Sequence, residues 1–232
     1  MGFARDQVDR AVADGWRLRD TFGPVEDVGK RSLILFWGPG LAGARELAQR
    51  LGWLEACYWN VPQDVPGRTP HPWGRLGPAH VRWRGREILV DLGYRGALWT
   101  PAANGDWHNY PGEDWKRFRM AQERSFRDAA AVLFVVDSQE ARSEANLESL
   151  ERLTAGFRHV GRDETTVPIV FALNKRDLWQ RHSPVEGARI LAVEELRLQL
   201  TWRVCEYIET SALTGLGVEA AIERVIELAR LG

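Results

Sequence analysis

The sequence predicts an α/β domain built on a mostly parallel central sheet with helices on both faces. Three observations carry that expectation. Short apolar runs bounded by turn residues recur near 33–37, 130–136, 167–173 and 205–209, and stripes of helical period lie between them. The runs at 33–37, 130–136 and 167–173 are apolar at nearly every position, as in Leu33-Ile34-Leu35-Phe36-Trp37, so both faces of those strands are expected to be covered. Finally, 232 residues with 44% hydrophobic and 27% charged content suit one decorated domain with a full core.

Each element follows from its local pattern. Ala4, Val8, Ala11, Val12, Trp16 and Phe22 fall near helical spacing, and Gly23-Pro24 stops them, so residues 1–29 read as an amphipathic helical extension ahead of a main domain at 30–232. Residues 33–37 form a buried strand and 44–53 the helix after it. The stretch 59–80, dense in Pro, Gly and Trp, is an irregular loop. "VRWRGREILVD", 81–91, reads as a hairpin with Gly85 in its turn and Ile88-Leu89-Val90 as the inner strand; 92–114 is again irregular. Ala130 to Val136 is a strand, and Leu147, Leu150, Leu153 and Phe157 stripe the next helix. Val167 to Leu173 is another strand. Ser183-Pro184-Val185-Glu186 is a capping box with proline at the first helical position, so a helix is expected to begin there. Cys205 to Glu209 supplies the last strand, and Val218, Ile222, Val225, Ile226 and Ala229 share one face of the last helix.

The net charge of −1 argues against a general affinity for nucleic acid or anionic membranes. No apolar run is long enough to span a membrane, no signal peptide is read, and Cys57 and Cys205 fit no metal spacing, so a reduced, cytoplasmic protein is expected. The five histidines, His71, His80, His108, His159 and His182, are scattered and show no ligand spacing. Only three lysines occur, Lys30, Lys116 and Lys175, against abundant arginine.

Ligands of parallel sheets sit beyond the carboxyl ends of the strands, and the chemistry-bearing motifs fall there. After the first strand, Gly38 and Gly43 occupy the two glycines of G-x-x-x-x-G-K-[ST], the loop whose backbone cradles phosphates. The next two residues, however, are Ala44 and Arg45. "FALNKRDL" places Asn174, Lys175 and Asp177 as N-K-x-D behind an apolar strand. A carboxylate at Asp177 can accept hydrogen bonds from N1 and the exocyclic amine of guanine, a donor pair that adenine lacks. Asn174 would tether neighbouring loops, and the thin stem of Lys175 could lie across the base. "YIETSALTGLGV" brings Ser211-Ala212-Leu213 between the last strand and the last helix.

On "GPGLAG", "VLFVVDSQEARSEANLESLERL", "NKRDL" and "VEELRLQL", the chain resembles the MglA-type small GTPases that set polarity in gliding bacteria. The resemblance covers about residues 30–230, apart from the N-terminal extension and insertions near 92–110 and 178–191. It implies a Ras-like P-loop GTPase fold, binding of GTP or GDP, a Ser211-Ala212-Leu213 loop packed on the base with a backbone N–H to guanine O6, and Roadblock/LC7-type partners acting on the switch regions.

Departures from the family concentrate at phosphate and Mg²⁺. The family's loop reads G-P-G-x-x-G-K-T, and this one reads Gly38-Pro39-Gly40-Leu41-Ala42-Gly43-Ala44-Arg45. Losing one charge-assisted hydrogen bond costs roughly 1.5–3 kcal/mol, or about ten- to a hundredfold in affinity. Arg45 stands where a hydroxyl should ligate Mg²⁺, which a guanidinium cannot do, so no Mg²⁺ is expected. Arg45 either points to solvent or lies over the phosphates in place of lysine and metal. Thr69 in "PGRTPHPWG" is the switch I candidate, flanked by stiffening prolines. For switch II the D-x-x-G register starts at Asp91, with Tyr94 where glycine is needed, or shifts to Pro111-Gly112-Glu113, with Glu for the family's Gln. Under both registers the water-positioning glutamine is missing, and Gln122 reads as a surface helix residue.

Three functional readings stay open. One is a pseudo-GTPase with weak or absent hydrolysis, regulating or scaffolding polarity or a related system. Its partners would be a Roadblock-type protein or an authentic small GTPase, met through the Trp-rich loops at 59–83 and 94–115. The second is an active GTPase completed by a partner's arginine. The third is an interaction module that binds no nucleotide.

Overall fold

The computed structural model describes residues 33–53, 79–92, 122–180 and 189–231. The N-terminal extension, Thr69, Gly112, Glu113, most of the Trp-rich loops and the Ser183 capping box lie outside the described residues.

A six-stranded sheet forms the centre, in the order β2-β3-β1-β4-β5-β6. The strands are β1 Leu33–Trp37, β2 Ala79–Trp83, β3 Arg86–Leu92, β4 Ala129–Asp137, β5 Ile169–Asn174 and β6 Cys205–Glu209. Only β2 runs antiparallel, paired with β3 across a tight turn in which Arg84 (φ 46°) and Gly85 (φ 77°) are both left-handed. The other four pairings are parallel. Continuous burial of β1, β5 and nearly all of β4 explains their unbroken apolar runs.

Helices cover both faces, as expected. α1 Ala44–Arg50 follows β1, α2 Ser143–His159 follows β4, α3 Val193–Gln199 precedes β6, and α4 Val218–Leu231 ends the described chain. One face packs Leu150, Leu153 and Phe157 of α2 and Leu196 of α3 against Phe134, Phe171 and Trp37. The opposite face packs Ala221, Ile222, Val225 and Ile226 of α4 against Ile34, Leu133 and Val170. The Trp37 indole donates to the Ser149 carbonyl at 2.9 Å, so this tryptophan fastens β1 to α2 rather than meeting solvent.

Several boundaries differ from the sequence reading. α1 stops at Arg50, three residues early, because Gly52 turns left-handed (φ 70°) and releases the chain. Residues 189–192 are not helical: Ile190 bridges to Gln139, so the helix of this region starts at Val193, with Glu195 accepting the Ala192 N–H at 2.8 Å. A helix begun at Ser183 is therefore not continuous with α3. Residues 122–128 are helical, and Ser125 and Phe126 are buried on them. Gln122 lies one turn before Phe126 on the same face, and its amide atoms are buried with no hydrogen-bond partner among the described residues. The residue is half-buried, with its amide turned inward.

Candidate functional site

β1 delivers the chain to the phosphate-type loop. Gly38 sits at φ 149°, and a Cβ there would come within 2.3 Å of the Val135 carbonyl oxygen of β4. Gly43 caps α1 at φ 103°, and its added Cβ would meet the Asn174 Nδ2 at 2.2 Å. Both glycines of the motif are thus imposed by close packing. Gly40 has open space in the same position. Leu41 between them is left-handed (φ 69°) and 76% exposed, an unfavourable conformation for a leucine held on the ligand-facing turn. A cavity of about 180 Å³ is lined by Gly38, Pro39, Leu41, Gly43, Ala44 and Arg45. Arg45 is exposed and borders that cavity, while Ala44 contributes only a methyl group.

β5 delivers the second loop, and its first residue ties three loops together. Asn174 is 2% exposed. Its Nδ2 donates to the Ala42 carbonyl at 2.7 Å, and its Oδ1 accepts the Ala212 N–H at 2.8 Å. The tethering role read from the sequence is thus present in the geometry. The Ala212 N–H, one backbone donor of the loop that the resemblance places against guanine O6, is engaged by Asn174 here. Asp177 accepts the Ser211 hydroxyl at 2.6 Å through Oδ1, which orients the carboxylate and leaves Oδ2 for a ligand. Ser211 is fully buried. Leu213 is 63% exposed beside them.

Lys175 is left-handed (φ 67°). Its ammonium donates to Asp137 Oδ2 at 2.7 Å and Gln139 Oε1 at 3.1 Å, so the stem is stretched along the loop cluster with its tip fixed. Asp137 at the end of β4 is 1% exposed, and a buried carboxylate demands partners. Besides Lys175 it has the Gln139 N–H at 3.2 Å and the Arg142 Nε at 3.6 Å. Arg142 in turn donates to the Gly40 carbonyl at 2.6 Å. Arg176 anchors the loop between Lys175 and Asp177: its guanidinium donates to the Leu191 carbonyl at 2.5 Å and pairs with Glu209 at 2.9 Å. Burial pushes the Arg176 pKa below the ordinary arginine value, and Glu209 opposes the shift.

The structure therefore brings together Gly38, Pro39, Gly40, Gly43, Ala44, Arg45, Asn174, Lys175, Asp177, Ser211, Ala212 and Leu213 at the carboxyl ends of β1, β5 and β6. Asp91 lies near the end of β3, paired in register with Leu35 of β1, and it accepts the Ser125 hydroxyl. Sequence reasoning missed three residues. Asp137, Arg50 and Arg142 carry no role in the sequence reading, and for the two arginines the reason is plain: side chain-to-carbonyl contacts across 162 and 102 positions leave no spacing signal. Among the described residues no cluster of three or more His, Cys, Asp or Glu could hold a metal, and Arg45 does not fit a Mg²⁺ ligand.

The profile of the ADP-ribosylation factor family matches residues 114–229. A curated relative, the mutual gliding-motility protein MglA of Myxococcus xanthus, is 38% identical over 97 residues, which span 42% of this chain and 45% of that protein. The chain thus aligns with under half the length of that relative. Among solved structures, a nucleolar GTP-binding protein 1 from Plasmodium falciparum superposes with a TM-score of 0.49 at 13% identity, over 88% of this chain and 89% of its own. A GTP-binding protein from Sulfolobus solfataricus in complex with GDP also gives 0.49, at 17% identity over 97% of this chain and 61% of its own. The strand order and the family profile, rather than these superpositions, carry a Ras-like α/β fold.

Proposed function

Because the chain belongs to the ADP-ribosylation factor family of Ras-like small GTPases, we propose that it is a guanine-nucleotide-binding member of MglA type whose phosphate chemistry has been lost. The observation that carries this reading is the assembled base side. Asn174 knots the phosphate loop to the base loop, and Ser211 aims the Asp177 carboxylate, with no ligand needed to bring them together. Against it stand Ala44, which offers no cation to the phosphates, and Arg45, which repels a metal. The affinity thus comes from the base, from loop N–H groups and from Arg45, and it does not depend on Mg²⁺.

Hydrolysis is weak or absent in this reading, because the sequence places no glutamine to aim the attacking water and no Mg²⁺ spreads the developing charge. The protein then works as a regulatory or scaffolding element in polarity, motility or a related system. Its partner would be a Roadblock/LC7-type protein or another small GTPase docked on the Trp-rich loops. Replacement of Trp99 or Trp107 by Ala is expected to remove captured partners; retention of every partner would sink the loop interface. One observation favours an active enzyme as the second reading: Asn174, Asp177 and Ser211 stand assembled, as they would in a protein that meets its nucleotide. A partner supplying an arginine would then restore turnover, measured as phosphate release on mixing.

The test of the main reading is chromatography of nucleotide released on denaturation, followed by titration with GDP, GTP and ADP in Mg²⁺ and in EDTA. Guanine-selective binding of equal strength in both buffers is expected. Binding that disappears in EDTA, or that fails to distinguish GDP from ADP, would overturn it.

A further inference from the structure

The last residue of α1, Arg50, reaches over the base loop. Its guanidinium donates to the Thr214 carbonyl at 2.6 Å, the Leu213 carbonyl at 3.0 Å and, more loosely, the Ala212 carbonyl at 3.4 Å. Three successive carbonyls held by one side chain is a demand that suits arginine, whose five donors lie in a rigid plane, and that a lysine ammonium cannot meet in the same way. Gly215 makes room for it. A Cβ at that left-handed glycine (φ 91°) would lie 2.6 Å from Arg50 Nε and 2.7 Å from Nη2. The clamp and the absence of a side chain opposite it are two independent features of the same fit.

The clamp is connected to the group that reads the base. The Leu213 carbonyl and the Thr214 N–H belong to one rigid peptide plane. Arg50 holds the oxygen end of that plane, and the nitrogen end donates to the Ser211 hydroxyl at 3.1 Å. Ser211 in turn donates to Asp177 Oδ1 at 2.6 Å. Arg50, the 213–214 peptide, Ser211 and Asp177 thus form one directional chain of donors, in which each bond polarises the next. The loop is also closed on itself, by Gly215 N–H to the Ser211 carbonyl at 2.8 Å and Ser211 N–H to the Leu216 carbonyl at 2.9 Å.

The geometry points to Arg50 as a specificity-positioning residue: through this chain it fixes the orientation of the Asp177 carboxylate, and so the discrimination between guanine and a purine without the exocyclic amine. The assignment rests on the guanine reading of the pocket. It also gives α1, which has lost its lysine and hydroxyl at Ala44 and Arg45, a continuing part in base recognition from its other end. Because Arg50 is exposed and its contacts are to loop carbonyls, its removal is expected to alter selectivity more than stability.

Two readouts on Arg50→Ala and Arg50→Lys test this. The first is hydrogen exchange in the ligand-free protein. Arg50→Ala is expected to speed exchange at the Thr214 and Gly215 amides by tenfold or more, leaving the β5 amides unchanged; unaltered exchange would overturn the clamp whether or not nucleotide binds. The second is the affinity ratio of GDP to IDP, which differ only in the exocyclic amine. That amine is worth roughly tenfold or more when it meets a well-aimed carboxylate. The ratio is expected to fall severalfold toward unity in Arg50→Ala and to stay depressed in Arg50→Lys. Equal losses for GDP and IDP would overturn the specificity role and leave Arg50 a structural residue. Faster exchange with no guanine nucleotide bound by the unsubstituted protein would keep the clamp and overturn both the specificity role and the guanine reading.

Discussion

Replacing Asn174 by Ala removes both bonds of the three-loop knot at once. The side chain is 2% exposed, and its partners differ in what happens next. Ala42 is 1% exposed, so its carbonyl, accepting at 2.7 Å in the native protein, is left dry and unpaired. An orphaned buried acceptor costs about 1–3 kcal/mol. Ala212 is only half-buried, and its N–H can turn to water, so that bond contributes its net worth of about 1 kcal/mol. The sum is about 2–4 kcal/mol of unfolding free energy, measured by urea denaturation followed through tryptophan fluorescence. Asn174→Asp separates the two halves. It keeps an acceptor for Ala212 but sets a carboxylate against the Ala42 carbonyl, so it is expected to cost at least as much as alanine. A loss below about 0.5 kcal/mol for Asn174→Ala, the range of ordinary surface changes, would refute the argument that this knot holds the loops.

Further expectations follow from neighbouring geometry. Gly43→Ala adds a Cβ at φ 103° and 2.2 Å from the Asn174 amide, so it should cost about 1–2 kcal/mol in backbone strain and break the same knot, again read by denaturation. Asp177→Ala should abolish preference for GDP over ADP in a titration, and by orphaning the buried Ser211 hydroxyl it should also cost about 1–3 kcal/mol in urea denaturation. Ala44→Lys combined with Arg45→Thr should add Mg²⁺-dependent affinity for GTP of about tenfold or more, since it restores one charge-assisted contact and one metal ligand; no gain would mean the loop itself is no longer competent. In acid, Arg224 holds the Glu206 carboxyl below the usual glutamate value through its hydrogen bond, against a smaller desolvation effect. A lowered folded-state pKa stabilises above the ordinary glutamate value, and that share is lost as pH falls through the depressed one. Glu206→Gln should therefore flatten the fall of stability in that acid window, followed by urea midpoints against pH.

The centre of the sheet was legible because β1, β5 and nearly all of β4 are buried on both faces. β1 and β6 match the sequence reading residue for residue, and β4 extends it by one residue at each end. Asn174 and Asp177 were legible too, since N-K-x-D behind a strand has a chemical rationale for each position. What stayed hidden was the network joining the loops. Asp137 gathers Gln139 and Arg142 from its own loop and Lys175 from the end of β5, and Arg50 meets carbonyls that any residue type presents. Backbone carbonyls carry no sequence signature, so such contacts emerge only once the fold sets the distance. Gln122 misled for a related reason: a polar residue in a charged stretch reads as exposed until Phe126, one turn on, shows which face is turned inward.

Guanine-nucleotide titration in Mg²⁺ and in EDTA tests the central claim most directly. The account predicts binding of GDP and GTP that exceeds binding of ADP and is the same in the two buffers. Binding that needs Mg²⁺, or no guanine-selective binding at high micromolar nucleotide, would contradict it.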